Sequence, residues 1–452
     1  MNFSRYFTTC IISCITSFVS LNAAMPADMQ NQIRADLAAQ KYRDLGFFIK
    51  EKLDQQIVTL KELRKIAQKQ QANNFIRAID ATNNFLKEGQ NLELTTGDFL
   101  RIALFIETDL QSYIARQDYY LQKSRTGLPR IIEYDPSNGA TFIVADGIPS
   151  AFLGQGARKT AYKAILYNNA APKIVVRAEQ HGGMDEAKFT KTLRGSQGIY
   201  TMEGLASHER RGKNYTTIYS QLYNAGDLQK AFDENIQFSL VEKMRIAYNI
   251  LQGLEALRSK NIVHRDLGAK NIFLNRSQLK QGQQRIDAVI ADLGCAKRTR
   301  QMSEKRAQVS FKNTAPEGIF FDKLRGADFF ATDLYAAGLV LYRLIYGKYA
   351  KWQEKQIHGS HDHKYHRLTC KINQKTRSRR DYLLNQQSLG LTSSEEDFEL
   401  IVLRMVSPNP KKRRTAARLL QDMQRIYDTE RDCIIHKKIG SKRPMTKSQN
   451  SK

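Results

Sequence analysis

The stretch that most constrains the fold is VHRDLGAKNIFLN, residues 263–275. Before it, VEKMRIAYNILQGLEALRSK repeats apolar residues every three or four positions, which predicts an amphipathic helix. Soon after it, the run IDAVIADLG contains a further aspartate, Asp292. The charged stretch therefore lies between a helix and a second apolar run. Its ordered polar residues make it the first candidate for chemistry.

The rest of the chain divides into regions of different periodicity. Residues 25–126 have the apolar spacing of several antiparallel helices, as in IRADLAAQKYRDLGFFIKEKLDQQIVTLKELRKIA. After Gly127, short runs such as ATFIVA and KIVVRA are broken by Asn-Gly and Gly-Gln-Gly, which predicts an antiparallel sheet. Helical periodicity returns from Ser239, and residues 434–452 have the polar, basic composition typical of disorder.

The formal net charge of +26 is high for a chain with 41% hydrophobic and 26% charged residues. Much of it lies in Lys351–Arg380, Lys411–Arg414 and Lys437–Lys452. Such a surface favours an anionic protein or a membrane surface as partner. The alternative is that the charge serves solubility and a disordered tail. No base-reading motif stands out, so no specific nucleic acid is indicated.

Residues 1–24 have the order of a secretory signal peptide. MNFSRYF carries one positive charge, TTCIISCITSFVSL is apolar, and two alanines precede a proline. The alternative is a helix that anchors or packs. Beyond this segment, Cys295, Cys370 and Cys433 form an odd, widely spaced set, which predicts neither a disulfide framework nor a metal knuckle. The sequence therefore predicts export without disulfide stapling.

The order of the motifs resembles the protein kinase family over roughly residues 130–430. That family carries H-R-D with an asparagine five residues after the aspartate, then D-x-G, then A-P-E. This chain has HRDLGAKN, DLG and TAPE in the same order. The resemblance implies an α+β, two-lobed kinase fold with a small β-rich lobe and a large helical lobe. An all-α N-terminal domain, residues 25–126, precedes it.

The resemblance also implies ATP and Mg²⁺ as cofactors and a protein as substrate. Asp266 matches the aspartate that accepts or orients the substrate hydroxyl. Asn271 and Asp292 match the two Mg²⁺ ligands, and their oxygens are hard donors of the kind that Mg²⁺ prefers. Leu293 replaces the commoner phenylalanine but stays apolar. Lys270 stands where the tyrosine-kinase form of the motif has an arginine.

Three other residues match supporting positions of the family. Glu317 of TAPE closes the activation segment, and Arg413 falls where the family places the arginine that pairs with it. Asp333 matches the buried aspartate that braces the catalytic loop. Each residue alone would be interpreted as a cap or a surface charge. Their order and spacing carry the inference.

The run IYSQLYNAGDLQKAF resembles the hinge between kinase lobes. The resemblance places backbone groups near Gln221 and Tyr223 against adenine and Asp227 near the ribose. Ser220 falls near the position that gates the back of the nucleotide pocket. Glu186, in MDEAKFTKTLR, is the candidate for the glutamate of the family's lysine–glutamate ion pair.

The glycine loop, LGQGARKTAYK, departs from the family pattern. Gly154 and Gly156 match the first two glycines, but Lys159 occupies the third position. The third strand places Arg177 where the family has its phosphate-binding lysine, and that exchange is not conservative. The loop is similar to that of the with-no-lysine kinases, whose lysine ends the glycine loop. We expect Lys159 to hold the phosphates; the alternatives are a solvent-facing Lys159 and a phosphate-binding Arg177.

The implied reaction is transfer of the ATP γ-phosphoryl group to a protein hydroxyl. HRDLGAKN and Lys312 favour the tyrosine-kinase form, whereas Ser310 favours serine/threonine kinases, so the acceptor type stays open. The alternative function is a pseudokinase-type adaptor that binds acidic proteins or membrane through the basic surface. Export implies either a secreted effector that acts inside another cell or a kinase of the secretory pathway.

A histidine cluster, HGSHDHKYH, spans His358–His366 within a basic insertion. A Zn²⁺ site is one interpretation of such a cluster. A solvated polar loop is the usual one.

Overall fold

The computed structural model describes most of the chain. Residues 1–24 and the segment after Gly440 lie outside the described residues, as does Gly156. The described ranges are 25–88, 95–108, 120–122, 131–144, 151–155, 159–167, 173–181, 185–210, 213–278, 284–301, 315–318, 328–350, 352 and 361–440.

The contacts divide the chain into two compact units. The first contains the chain up to Gly182 together with Glu203–Leu222, and the second contains Gly183–Met202 together with Tyr223 and the residues after it.

Helices form the beginning of the first unit. The third of them starts at a capping box, in which Thr59 Oγ1 accepts from the Glu62 amide at 3.2 Å and the Glu62 carboxylate accepts from the Thr59 amide at 2.9 Å. The helices are α1 Ala27–Ala38, α2 Tyr42–Asp54, α3 Leu60–Lys69, α4 Asn73–Glu88 and α5 Thr96–Thr108. They occur where the apolar periodicity predicts helices.

The first unit continues as an eight-stranded sheet of order β1-β2-β3-β5-β6-β8-β7, with β4 paired to β5. The ladders that join β1 to β6, and the ladder between β6 and β8, are antiparallel. The strands are β1 Tyr120–Gln122, β2 Ile131–Asp135, β3 Ala140–Val144, β4 Phe152–Gln155, β5 Lys159–Tyr167, β6 Lys173–His181, β7 Met202–Arg210 and β8 Lys213–Gln221.

The helices and the sheet of the first unit share one hydrophobic core. Phe75 and Phe99 of α4 and α5 are buried in the same cluster as Ile143 of β3 and Ile165 of β5. Ile174 of β6 packs against this cluster. The helices that precede the sheet in the chain therefore pack against the part of one face that carries these isoleucines.

The second unit is mainly helical. It also contains two short two-stranded sheets, β10 with β11 and β12 with β9. Its elements are α6 Asp185–Thr192, α7 Leu228–Asp233, α8 Leu240–Ser259, β9 Ile262–Val263, β10 Ile272–Gln278, β11 Gln284–Ile290, β12 Lys297–Arg298, α9 Asp328–Tyr346, α10 His361–Ser388, α11 Ser394–Met405 and α12 Ala416–Gly440.

Two helices of the second unit bear on membrane insertion and on the C-terminal segment. Within the described residues, Phe329–Tyr346 of α9 is the one segment long and apolar enough to cross a membrane. Because 61% of this window is buried inside the structure, we interpret it as a core helix. The last helix, α12, continues to Gly440 and so enters the segment 434–452 that has the composition of a disordered tail.

Removal of the helices should unfold the sheet. A chain that starts at residue 130 lacks α1–α5 and exposes Ile143 and Ile165, whose exposed fractions in the full protein are 1% and 2%. Burial of such side chains contributes about 1.5–3 kcal/mol each. We expect the shortened chain to aggregate or to lose cooperative thermal unfolding, measured by circular dichroism against residues 25–452. A cooperative transition at the full chain's temperature would contradict the shared core.

Candidate active site

The catalytic loop is held by a buried carboxylate from α9. Asp333 Oδ2 accepts from the His264 amide at 2.7 Å, and Oδ1 accepts from the Arg265 amide at 2.9 Å. Burial raises the pKa of Asp333. Arg265 has a φ of +71°, a left-handed conformation that costs a residue with a side chain about 1–2 kcal/mol. The two hydrogen bonds from its turn offset that cost and fix the position of Asp266.

His264 connects the catalytic loop to the residue before Asp292. The Asp266 amide donates to His264 Nδ1 at 3.3 Å, so Nδ1 is the acceptor nitrogen. Nε2 then carries the proton and donates to the carbonyl oxygen of Ala291 at 2.9 Å. The fully buried ring therefore bridges the two segments.

Three predicted residues meet on the catalytic loop. Asn271 Nδ2 donates to the backbone oxygen of Asp266 at 2.7 Å and lies 3.5 Å from its Oδ2. Lys270 Nζ lies 3.4 Å from the same Oδ2, and its side chain is 66% exposed. The half-buried carboxylate of Asp266 thus has an amide and a cation beside it. This arrangement suits a group that accepts a proton and faces a charged substrate.

Asn271 and Asp292 fit the requirements of a Mg²⁺ site. The Ala291 amide donates to the Asn271 carbonyl at 2.9 Å, which ties the two segments together. Asp292 has a φ of +61°, and its Oδ1 accepts from the Gly294 amide at 3.3 Å. Both residues offer hard oxygens, and Mg²⁺ in such sites takes only one or two protein ligands besides water and phosphate. When bound, ATP and Mg²⁺ supply the phosphoryl group and the charge that offsets its negative oxygens.

The histidine cluster receives no support as a metal centre. His358 and the side chain of His361 lie outside what the structure describes. His366 Nε2 lies 3.7 Å from the sulfur of Cys370 on α10. Across the described residues, no three His, Cys, Asp or Glu side chains come together as metal ligands.

Glu186 lies on α6 and is 5% exposed. Tyr200 Oη is 3.5 Å from Glu186 Oε1 and 2.7 Å from Thr190 Oγ1. Burial raises the pKa of Tyr200, and the charges of Glu186 and Asp292 raise it further. The tyrosine hydroxyl therefore stays protonated beside the glutamate. Tyr200 could not be predicted as a partner of Glu186, because no residue in GIYTMEG indicates such a contact.

Lys159 and Arg177 lie on opposite faces of the sheet. Residues directly opposite in an antiparallel ladder share a face, and neighbours along a strand alternate. Lys159 of β5 is opposite Gln180 of β6, whereas Arg177 is opposite Tyr162 of β5 and Tyr219 of β8. The two basic residues cannot act on one ligand from a shared face. Gly154, in β4, is opposite Ala161 of β5 and has a φ of +157°.

The environment of Arg177 does not favour the phosphate-binding alternative. Its exposed fraction is 2%, and its guanidinium bonds Glu133 at 2.9 Å and Glu179 at 2.7 Å. Tyr219 also donates to Glu133, and burial together with the charge of Glu133 raises the pKa of Tyr219. Arg177 thus neutralises carboxylates inside the first unit. These contacts do not support it as a phosphate ligand, and they leave Lys159 as the stronger alternative.

Each of the three predicted hinge residues has its own contact with a backbone group. Gln221 ends β8 and is opposite Val175 of β6. In the second unit, Tyr223 Oη accepts from the Thr201 amide at 2.9 Å. Asp227 Oδ1 accepts from the Lys230 amide at 2.8 Å and so caps α7. One oxygen of the predicted ribose ligand therefore has a structural role.

Glu317 and Arg413 form the predicted buried ion pair. Arg413 Nη2 bonds Glu317 Oε2 at 3.0 Å, and Nη1 also bonds the glutamate. The guanidinium donates in addition to the carbonyl oxygens of Ser407 at 2.7 Å and Ala331 at 2.9 Å. The planar fork of arginine satisfies all these acceptors at once.

The described geometry agrees with a comparison against known families. The protein kinase domain matches residues 149–423. The chain belongs to the protein kinase family. This membership confirms the predicted α+β kinase fold with its β-sheet lobe, its helical lobe and the helices that precede them, and it implies ATP and Mg²⁺ as cofactors.

Similar proteins include both tyrosine and serine/threonine kinases. Human tyrosine-protein kinase FRK is 27% identical over 40% of this chain and 36% of its own length. Mitogen-activated protein kinase kinase kinase 17 of Arabidopsis thaliana is 26% identical over 43% of this chain and 50% of its own. Probable serine/threonine-protein kinase WNK8 of Oryza sativa subsp. japonica is 27% identical over 44% and 32%. The chain spans half or less of each relative.

The Glu317–Arg413 pair provides a stability test. Arg413→Lys keeps the charge but loses the fork, and we expect a loss of about 3 kcal/mol in the free energy of unfolding, measured by denaturant titration. The adjacent Arg414 is the control, because it is 39% exposed and bonds Asp422 at 2.6 Å. Arg414→Lys should cost at most about 1 kcal/mol. Equal losses of unfolding free energy in the two variants would show that the buried ion pair stabilises the protein no more than the exposed one.

Proposed function

We propose that the chain is an active protein kinase that transfers the γ-phosphoryl group of ATP to a protein hydroxyl. The observation that carries this proposal is the meeting of Asp266, Lys270 and Asn271 on a loop braced by Asp333. A chain that only bound partners would not need a half-buried carboxylate flanked by a cation and an amide. The acceptor remains a hydroxyl of either chemical type.

Each residue of the loop has a distinct task in this proposal. Asp266 orients the acceptor hydroxyl and takes its proton as the oxygen attacks phosphorus. Lys270, 3.4 Å from Asp266, offsets negative charge on the transferred group. Asn271 and Asp292 present oxygens to Mg²⁺. Glu186, on α6, and Tyr200 belong to the same unit as these residues.

Lys159 supplies the phosphate-binding cation in this proposal. It lies at the first position of β5, directly after the glycine loop. Its ladder partner in β6 is Gln180, so the neighbouring strand offers no lysine at that position. The alternative cation, Arg177, is committed to Glu133 and Glu179.

Substitution of the two basic residues should separate activity from stability. Lys159→Met should lower autophosphorylation with labelled ATP roughly a hundredfold or more, the usual effect of losing one charge-stabilising donor, without changing the melting temperature. Arg177→Met should instead lower the free energy of unfolding by about 3–5 kcal/mol, because it leaves Glu133 buried without its cation. Activity and melting temperature are measured on the same preparations.

Asp266→Asn is the control for the chemical step, because it removes the proton acceptor and keeps the shape. Full activity in Lys159→Met together with a stable, inactive Arg177→Lys would reverse the assignment of the two residues. If the parent chain incorporates no phosphate and ATP does not raise its melting temperature, the kinase proposal fails and the adaptor function replaces it.

We also propose that the kinase docks on an anionic protein or membrane surface through α10. Lys364, Arg367, Lys371 and Lys375 recur every three or four positions, which places them along one side of the helix. An adjacent side of the helix is buried through Ile372 and Thr376. Among the residues that the structure describes, no acidic side chain pairs with these four cations. A row of unpaired cations attracts an anionic surface.

Charge reversal tests this docking surface. Lys364→Glu, Lys371→Glu and Lys375→Glu, combined, should weaken binding to vesicles that contain phosphatidylserine, or to polyglutamate, roughly a hundredfold at low salt. Loss of binding to the vesicles would indicate a membrane surface as the partner. Loss of binding to polyglutamate would indicate an acidic protein. Binding should also fall as salt shortens the Debye length to about 8 Å.

The matched control changes the net charge equally on another helix. Lys61, Lys65 and Lys69 on α3 are exposed lysines, and their combined change to glutamate should leave binding within about twofold. If both triple variants weaken binding equally, the effect is one of net charge and α10 is not a docking surface.

A further inference from the structure

A cavity lies in the second unit, and neither Asp266 nor Asp292 is among its lining residues. Its volume is about 470 Å³, within the range of sites that hold small organic molecules. Residues from the end of α8, the start of α9 and the loop that leads into α12 line it. Neither the proposed phosphoryl transfer nor the α10 surface uses this cavity.

The walls of the cavity are apolar on the side of α8 and α9. Leu254, Leu257 and Leu334 line it, and their exposed fractions are 4%, 1% and 5%. Phe330 and Ala331 complete this side. An occupant therefore needs an apolar body, since a fully polar molecule would lose its hydration against these side chains.

The lining of the cavity also includes four cationic residues, of which Arg413 is paired with Glu317. The other three are Arg258, Lys411 and Arg414. Arg258 bonds Glu255 and Arg414 bonds Asp422, but neither carboxylate is among the lining residues. Lys411 is exposed, and within the described chain no acidic side chain pairs with it. Lys411 is therefore the cation of the lining whose charge no described carboxylate offsets.

The start of α12 adds to this positive character. Thr415 and Ala416 line the cavity, and α12 has no acidic residue in its first turn. A helix N-terminus presents amide hydrogens and a partial positive charge. The one carboxylate in the lining, Asp333, is 3% exposed, and both of its oxygens already accept backbone hydrogen bonds.

We propose that this cavity binds a small amphipathic anion, with its apolar body against Leu254 and Leu257 and its acidic group against Lys411 and Arg414. The apolar walls select the body of the ligand. Lys411, the neighbouring arginines and the helix N-terminus select a carboxylate, sulfonate or phosphate group. The bound ligand would lie beside Asp333, which holds the catalytic loop.

The test uses residues 25–452 and anilinonaphthalene sulfonate, a fluorescent aromatic anion. Lys411→Glu places a negative charge at the cationic side and should raise the dissociation constant about tenfold or more. Ala331→Leu fills the apolar side and should weaken binding to a similar degree. Octanoate should displace the dye, whereas octanol should displace it far less, because only octanoate carries a negative charge that Lys411 and Arg414 can bind.

The controls exclude general effects of charge and unfolding. Lys65→Glu makes the same charge change at an exposed position of α3 and should leave the dissociation constant within about twofold. All variants should keep the melting temperature of the parent chain. The proposal is overturned if Lys411→Glu and Lys65→Glu bind the dye equally, or if filling the cavity through Ala331→Leu leaves the dissociation constant unchanged. Kinase activity is not measured, so the result is independent of the proposed reaction.

Discussion

The amides of His264 and Arg265 both donate to one buried carboxylate, that of Asp333. This interaction stabilises a turn with a left-handed Arg265, which the sequence would not adopt alone. The turn brings Asp266 within reach of Lys270 and Asn271. The position of every group on the catalytic loop therefore depends on a side chain from a distant helix. Burial raises the pKa of Asp333, and its two hydrogen bonds favour the charged form against that trend.

The catalytic loop could be predicted from the sequence because its residues are close together in the chain. Asp266, Lys270 and Asn271 lie within six positions, and their motif limits the geometry to a single arrangement. The pair of Glu317 and Arg413 spans a much longer separation, yet each residue belongs to its own ordered motif. Hydrophobic periodicity likewise predicted the helices of the first unit, although it did not predict what they pack against.

The sequence does not indicate the carboxylate partners of Arg177, and the reason is physical. Its partner Glu133 is 44 positions away, on a strand outside the matched kinase domain. Strand register decides which face a side chain occupies, and register is set by pairing rather than by local sequence. The sequence could not reveal that Lys159 is opposite Gln180. Tyr200 was missed for a related reason, since its contact with Glu186 arises from the packing around α6.

The core that joins α4 and α5 to β3 and β5 has a consequence for how the molecule responds to its surroundings. Because the helices and the strands share this core, they unfold cooperatively and share one free energy of unfolding. Any ligand that stabilises the strands also protects helices that it never touches. Conversely, a partner that grips the helices changes how freely the strands move. The N-terminal region is thus thermodynamically linked to the glycine loop without any contact between their chemical groups.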